Sequence, residues 1–191
     1  NIINEQSKSK ISNNLLIKNI TIDSKVTKKN DIFFAIKGKK IDGNRFVNEV
    51  LQKKASLAIV NRINKKCSIS KQIKVKNSLS FLTKCSSIYR NNINTKVISI
   101  TGSCGKTTLK EMMGYVLKKI SKTTYSPKSF NNKYGVPLSL FNLKQNDDFG
   151  ILEVGMDKKG EIDNLTKIIK PDLGVITNIS YAHSKNFKNI K

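Results

Sequence analysis

The stretch that decides the fold is VISITGSCGKTTLKEM, from Val97 to Met112. Its first four residues, Val97 to Ile100, form a short apolar run that is typical of a buried β-strand. The glycine-containing turn TGSCGKTT follows at Thr101 to Thr108, and a helical pattern then runs from about Lys106 to Ile120. A strand, a glycine turn and a helix in this order predict a phosphate-binding loop.

The residue types in this turn suit a nucleotide phosphate. Gly102 and Gly105 have no side chains in the way, so backbone N–H groups can converge on an anion, and the helix that follows adds its N-terminal amides and dipole. Lys106 can reach the β- and γ-phosphates, and the Thr107 hydroxyl can bind Mg²⁺. The alternative is a structural turn with an incidental lysine. The predicted ATP-binding residues are Gly102, Ser103, Cys104, Gly105, Lys106, Thr107 and Thr108.

Downstream of the loop, apolar runs alternate with helical patterns. Strands are predicted at Phe149 to Gly155 and at Leu173 to Ile179, with helices at Pro137 to Leu143 and Gly160 to Lys170. Together with Val97 to Ile100, this makes three predicted strands in the second half of the chain. Strands that alternate with helices indicate a mostly parallel sheet covered by helices.

The first half of the chain also has an α/β pattern. Strands are predicted in ITIDS from Ile20, in DIFFAIKG, in SLAIVN and in QIKVK, and helices at 44–55 and 79–91. The polar segment Asn91 to Lys96 has no periodicity, so we place a domain boundary there. The predicted domains are a small N-terminal α/β domain, 1–94, and part of a P-loop-type domain with a parallel sheet, 95–191.

The charge of the chain invites a nucleic-acid interpretation, which its composition weakens. The 191 residues include 36 Lys plus Arg and 13 Asp plus Glu, for a net charge of +23. Of the basic residues 33 are Lys and only 3 are Arg, beside 22 Asn and 25 Ile. Lys, Asn and Ile all have AT-rich codons, and Arg is the residue expected for bidentate recognition. We therefore expect no specific nucleic-acid partner.

Cysteine usage and hydropathy favour a cytoplasmic protein. Cys67, Cys85 and Cys104 form no CxxC motif, and only one His is present to complete a zinc site. No apolar run approaches the roughly 18 residues of a spanning helix, so no membrane insertion is expected. Because the first residue is Asn1 and Lys191 closely follows a strand-like run, we expect a piece of a longer chain.

Two further side chains are candidates for the site. Glu153 ends an apolar strand beside the predicted loop, where α/β folds place ligands, and its carboxylate suits Mg²⁺. The alternative is an ion pair between Glu153 and one of the many lysines. His183, the only His, also follows a strand, and a lone His is more often structural than a ligand.

The order of the motifs resembles that of the Mur ligases of peptidoglycan synthesis. After the loop come Lys110 to Met112, then SFNNKYGVPLSL from Ser129, LEVGMDKKGEI from Leu152 and TNISYAH from Thr177. Upstream, IDSKVTKKNDIFFAIKGKKIDGNRF resembles the uridine-nucleotide-binding N-terminal domain of that family. The resemblance extends over nearly the whole chain, about Ile20 to Ile190, and its specific part is the FNN…GVP and E-x-G…GEI pair.

The resemblance implies an activity: an ATP- and Mg²⁺-dependent ligase that joins D-alanyl-D-alanine to UDP-N-acetylmuramoyl-tripeptide through an acyl phosphate, as a monomer. The metal-binding Glu and His of the family fall on Glu153 and His183. The implied catalytic residues are Lys106, Glu153 and His183, the implied metal ligands Thr107, Glu153 and His183, and the implied substrate-binding residues Asp23, Ser24, Asn131 and Asn132. The chain by itself is not expected to catalyse ligation.

Three alternatives remain. SFNNKYGVP and GEIDNL argue against the Mur ligase that adds the third peptide residue and against a folate polyglutamate ligase. A nucleic-acid-dependent P-loop ATPase or basic binding module should show Arg-rich or aromatic-interleaved patches, and this chain has no Trp. A fragment that binds nucleotide and does nothing else is the third alternative.

Overall fold

The computed structural model of the chain describes residues 2–7 and 15–180. These divide into two compact units, Asn1–Cys85 and Ser86–Lys191. Each unit contains a parallel sheet of its own, so the predicted α/β class with parallel sheets is confirmed. The domain boundary after residue 94 stays a prediction. Among the described residues, no helix combines the length and apolar character that crossing a bilayer requires.

The first unit contains a four-stranded parallel sheet in the sequential order β1-β2-β3-β4. It also contains two short 3₁₀ turns, Gly43–Phe46 and Ile69–Lys71. In chain order the elements are α1 (Ile2–Ser7), β1 (Ile20–Thr21), β2 (Ile32–Phe34), α2 (Val47–Gln52), β3 (Leu57–Val60), β4 (Gln72–Lys74) and α3 (Ser78–Asn91), which continues past Cys85. The strands and helices predicted from the sequence are thus confirmed here.

Burial explains why the two central strands of this unit, β2 and β3, are apolar throughout. All residues of β2 and β3 are buried, as expected for parallel strands that are covered on both faces. Val47 and Val50 on α2 pack with Phe33, Ala58 and Val60 of the sheet.

The second unit contains a four-stranded parallel sheet in the order β6-β7-β5-β8. Its elements are β5 (Lys96–Thr101), α4 (Lys106–Leu117), β6 (Thr123–Tyr125), α5 (Gly135–Asn142), β7 (Phe149–Glu153), α6 (Glu161–Ile169) and β8 (Leu173–Ile176). The three predicted strands are present as β5, β7 and β8, but the count of three was wrong because β6 was missed. Its sequence, Thr-Thr-Tyr, is too short and polar to show an apolar pattern, and it forms an edge of the sheet.

Alternation along β5 and β7 gives the sheet two different apolar faces. Ile98, Ile100 and Ile151 pack with Leu109 and Met113 of α4. The opposite face packs against α5 and α6 through Val97, Val136, Leu140, Leu152, Val154, Leu165 and Ile169. Ile100 of β5 lies beside Glu153 of β7 in the parallel register. The carboxyl ends of the two central strands therefore meet at one edge of the sheet, where the glycine turn also begins.

Candidate functional site

The glycine turn after β5 has the backbone shape that its sequence predicts. Gly102 has φ of +134° and Gly105 has φ of +77°, and α4 begins at the next residue, Lys106. Residues with a Cβ rarely adopt such positive φ values. At Gly102 a Cβ would also collide with the Thr177 hydroxyl. The two glycines thus allow the chain to turn from the end of β5 directly into the N-terminus of α4.

The Lys106 side chain lies over this loop. Its Nζ donates to the carbonyl oxygens of Gly102 at 2.6 Å and Ser103 at 3.3 Å. The ammonium group is therefore held beside the loop backbone, within the same turn that exposes the first amides of α4. A cation placed next to helix N-terminal N–H groups is the arrangement that binds a phosphate.

Glu153 is the last residue of β7, and its side chain is held by two neutral donors. The residue is 1% exposed. Its Oε2 accepts from the Thr107 hydroxyl at 2.7 Å, and its Oε1 accepts from the Asn131 amide nitrogen at 2.7 Å. Among the described residues no lysine forms an ion pair with this carboxylate. The structure thus shows no sign of the simple ion pair that was the alternative interpretation of Glu153.

The Thr107 hydroxyl and the Glu153 carboxylate fit a magnesium ion. Both are hard oxygen donors, and they lie together beside the Lys106 loop. Mg²⁺ in nucleotide sites is bound through one or two carboxylates plus phosphate oxygens and waters. Within the described part of the chain no group of three or more His, Cys, Asp and Glu side chains could hold a metal. His183, the third predicted ligand, lies outside the described residues.

Lys110 is a site residue to which the sequence analysis assigned no role. It lies one helical turn after Lys106 and is completely buried. Its Nζ donates to the carbonyl oxygens of Ser126 at 2.8 Å and Lys128 at 2.5 Å, and it pairs with Glu111 at 2.9 Å. These bonds fix the segment just before Asn131 against α4. A lysine inside an apolar helical pattern was the available signal, since a buried ammonium needs partners.

The two predicted substrate-binding asparagines have different surroundings. Asn131 contacts Glu153, as described, and its backbone oxygen accepts from the Gly155 amide at 2.7 Å. The Oδ1 atom of Asn132 accepts from the amides of Tyr134 and Gly135, both at 3.0 Å, and so caps the start of α5. The structure therefore brings Asn131, but not the Asn132 side chain, to Glu153. Substrate roles for both stay predictions.

Asp23 and Ser24 lie in the first unit, in the turn after β1. The Asp23 carboxylate accepts from the Lys25 amide at 2.9 Å, which closes a local turn. Ser24 is buried, and its carbonyl oxygen accepts from Lys53 Nζ at 2.7 Å. Both residues follow the carboxyl end of a parallel strand, where α/β sheets bind ligands. Their substrate-binding role stays a prediction.

A parallel sheet that carries a glycine loop, a lysine over that loop and a paired Thr and Glu defines a P-loop-type nucleotide-binding protein. Comparison with known families agrees. Residues 16–97 match the catalytic domain of the Mur ligase family and residues 100–191 match the Mur ligase middle domain. The chain belongs to the Mur ligase family.

Curated relatives match the chain over most of its length. The chain is 37% identical to the UDP-N-acetylmuramoyl-tripeptide--D-alanyl-D-alanine ligase of Buchnera aphidicola (strain Bp), covering 91% of this chain and 38% of the relative. It is 35% identical to the ligase of that name from Rickettsia prowazekii, covering 95% and 40%. The chain therefore spans about two fifths of the length of the relatives it matches.

Solved structures give the same family. A MurF crystal structure from Acinetobacter baumannii matches with a TM-score of 0.87 at 32% identity, covering 98% of this chain and 42% of that chain. The MurF ligase of Thermotoga maritima in complex with ADP matches with a TM-score of 0.76 at 32% identity, covering 90% and 40%.

Proposed function

We propose that this chain supplies the uridine-nucleotide-binding and ATP-binding parts of a ligase that joins D-alanyl-D-alanine to UDP-N-acetylmuramoyl-tripeptide. The observation that carries the proposal is the 2.7 Å contact between the Thr107 hydroxyl and the Glu153 carboxylate, formed beside the Lys106 loop. The printed names of the relatives support the choice of substrates, and the ADP complex of one relative supports a nucleotide at the loop.

The residues of the second unit perform the tasks that phosphoryl transfer requires. Such transfer depends on positioning and on neutralising charge rather than on covalent help. The amides at the start of α4 and the Lys106 ammonium bind the β- and γ-phosphates, while Thr107 and Glu153 hold Mg²⁺. Bound Mg²⁺ supplies charge neutralisation at the phosphate oxygens. Asn131 and Lys110 keep the Glu153 carboxylate and its surroundings in place for this task.

The UDP-linked substrate is served by the proposed substrate-binding residues and by the net charge of the chain. Asp23 and Ser24 of the first unit contribute to binding the uridine nucleotide, and Asn131 and Asn132 of the second unit keep their predicted substrate-binding role. Because UDP-linked substrates are anionic, the net charge of +23 attracts them over a distance. The terminal carboxylate of the tripeptide accepts the γ-phosphoryl group of ATP, which releases ADP. The amine of D-alanyl-D-alanine then attacks the carbonyl carbon of this acyl phosphate, forms the amide bond and displaces inorganic phosphate.

Lys106→Ala tests the phosphate-binding role. Loss of charge-assisted hydrogen bonds should weaken ADP and ATP binding by about a hundredfold or more. The fold should remain, because Lys106 bonds only loop carbonyls. Calorimetric titration with and without Mg²⁺ measures the affinity. Lys84→Ala is the matched control, since it removes the same charge from an exposed helical position. Equal affinities for the two variants would rule out the assigned loop.

Thermal unfolding with added ligands tests the substrate class. A ligand that binds only the folded chain stabilises it by about 2.7 kcal/mol at one hundred times its dissociation constant. UDP-N-acetylmuramoyl-tripeptide and Mg-ATP should each raise the melting temperature, and a single-stranded oligonucleotide of equal charge should raise it less. If only the oligonucleotide stabilised the chain, the nucleic-acid-dependent ATPase would be the better description.

A further inference from the structure

The segment after β8, residues 177–180, lies against the phosphate loop. The Thr177 amide donates to the Thr101 carbonyl at 2.9 Å. The Thr177 hydroxyl lies 2.5 Å from the Cys104 carbonyl and 3.2 Å from the Thr101 carbonyl. The Ser103 hydroxyl donates to the Ser180 carbonyl at 3.1 Å and accepts from the Ser180 amide at 2.8 Å. Both ends of the segment are therefore bonded to the loop.

Asn178 makes the central contacts of this segment. Its Oδ1 atom accepts from the amides of Ser103 at 3.1 Å and Cys104 at 3.0 Å. Its carbonyl oxygen accepts from the Ser103 amide at 3.0 Å, and its Nδ2 atom donates to Cys104 Sγ at 2.8 Å. One side chain thus binds two consecutive loop amides and the side chain of the second residue.

These contacts engage two amides of the loop. The amides of Ser103 and Cys104 donate to Asn178, and their predicted role in ATP binding stays a prediction. The amides from Gly105 onward, at the start of α4, have no intrahelical acceptor and remain for a phosphate. The same contacts constrain Gly102, where a Cβ would lie 3.0 Å from the Asn178 backbone nitrogen and oxygen.

We infer that Asn178 is a positioning residue that holds the phosphate loop in its anion-binding shape. It acts through the loop backbone and does not touch the nucleotide. The inference rests on the proposed function in so far as the loop binds ATP. A loop that is already ordered loses less conformational entropy when its ligand binds, so the bonds from Asn178 increase nucleotide affinity.

Amide hydrogen exchange tests the holding contact without any nucleotide. NMR on the free chain should show slow exchange at Ser103 and Cys104. In Asn178→Ala the exchange of the Cys104 amide should become about tenfold faster, the Ser103 amide should change less because it keeps the carbonyl oxygen of residue 178 as an acceptor, and exchange in β7 should not change. In Asn178→Asp the carboxylate can accept the same two amides, so their exchange should stay slow. Unprotected amides in the unmodified chain would overturn the inference, even if Asn178→Ala failed to fold.

Nucleotide titration then tests the consequence. Asn178→Ala should bind ADP about tenfold more weakly than the unmodified chain, and the exposed-site control Asn164→Ala should bind it equally well. If both amides exchange slowly in the unmodified chain but Asn178→Ala binds ADP as tightly as that chain does, the positioning role would be overturned. Failure of the unmodified chain to bind ADP at all, with both amides protected, would instead contradict the proposed function and leave the holding contact demonstrated.

Discussion

Glu153 depends on a glycine two residues later for its orientation. The Asn131 carboxamide that donates to Glu153 lies against Gly155, where an added Cβ would be 2.9 Å from Asn131 Cγ. A Cβ essentially never approaches another heavy atom so closely, so the carboxamide would have to move. The E-x-G pattern of the sequence therefore has a steric reason. The glycine provides room for the asparagine that holds the glutamate.

Gly155→Ala should displace Asn131 from Glu153 and leave the fold nearly intact. Loss of one hydrogen bond to a buried carboxylate should weaken Mg²⁺-dependent ADP binding by about tenfold. Calorimetric titration measures the affinity and thermal unfolding the stability. Gly174→Ala is the matched control, since a Cβ there would meet nothing within 4 Å. Equal Mg²⁺-dependent affinities for the two variants would show that Asn131 does not orient the carboxylate.

The three cysteines should differ in their rates of reaction with thiol reagents. Cys104 is exposed in the phosphate loop, Cys67 is partly buried and Cys85 is buried. Burial raises the pKa of the Cys85 thiol to about 11, which reduces its reactive thiolate at neutral pH. Mass spectrometry of labelled protein should show Cys104 reacting first and Cys85 last, with Mg-ATP slowing Cys104 alone. Labelling of Cys85 ahead of Cys104 would contradict the burial pattern.

Within the second unit, Arg90 and Asp172 connect the end of α3 to the end of α6 and to β5. Arg90 is buried, and its guanidinium donates to the Ile169 carbonyl at 2.8 Å and the Lys170 carbonyl at 3.1 Å, at the end of α6. It also pairs with Asp172 at 3.1 Å, and Asp172 accepts from the Val97 amide at 2.8 Å. Lysine could not make this set of contacts, because it lacks the planar fork of donors.

Asp172→Asn should reduce stability in a pH-dependent way. The Val97 amide, followed by Lys96 and Arg90, lowers the pKa of Asp172 in the folded chain. Folding therefore favours the ionised carboxylate, whose contribution is complete above the unfolded pKa of about 3.9 and disappears as the pH falls through the folded value. The difference in unfolding free energy between the unmodified chain and Asp172→Asn should be largest near pH 7.

The control for this measurement is Asp163→Asn. Asp163 forms only an exposed pair with Lys167, in which the side chains are 63% and 69% exposed. Such surface pairs contribute little to stability, so denaturant unfolding should show a smaller change for Asp163→Asn than for Asp172→Asn at pH 7. If the loss caused by Asp172→Asn were as large at pH 3 as at pH 7, the carboxylate charge would not be its source.

The net charge of +23 should give weak binding to DNA. Two of the three arginines are engaged within the chain, Arg62 with Asp42 and Arg90 with Asp172. Lysines meeting phosphates bind without regard to sequence, and salt weakens that binding steeply. Filter binding over a salt series should show this behaviour, and tight sequence-selective binding at physiological salt would contradict it.

Local patterns were sufficient to predict the larger elements and to select several residues that the fold brings together at the candidate site. Apolar runs marked the main strands of both sheets because buried parallel strands must be apolar on both faces. Gly102, Gly105 and Lys106 were recognisable because a phosphate loop requires these residue types at fixed positions. Glu153 was recognisable because it ends a buried strand. The two motifs lie far apart in sequence, yet β5 and β7 pair in parallel and bring them together.

The contacts that hold this site in place were decided only by the tertiary structure. Lys110, Asn131 and Asn178 each bond a group on a distant segment, so the partners of these side chains cannot be identified from periodicity or composition. The edge strand β6 was not predicted from the sequence for a related reason. It pairs with β7, but its polar residues form no apolar pattern. Hydrogen bonds between segments depend on where the folded chain places their donors and acceptors. The burial of a strand or helix, in contrast, can be predicted from the spacing of apolar residues along a short stretch of sequence.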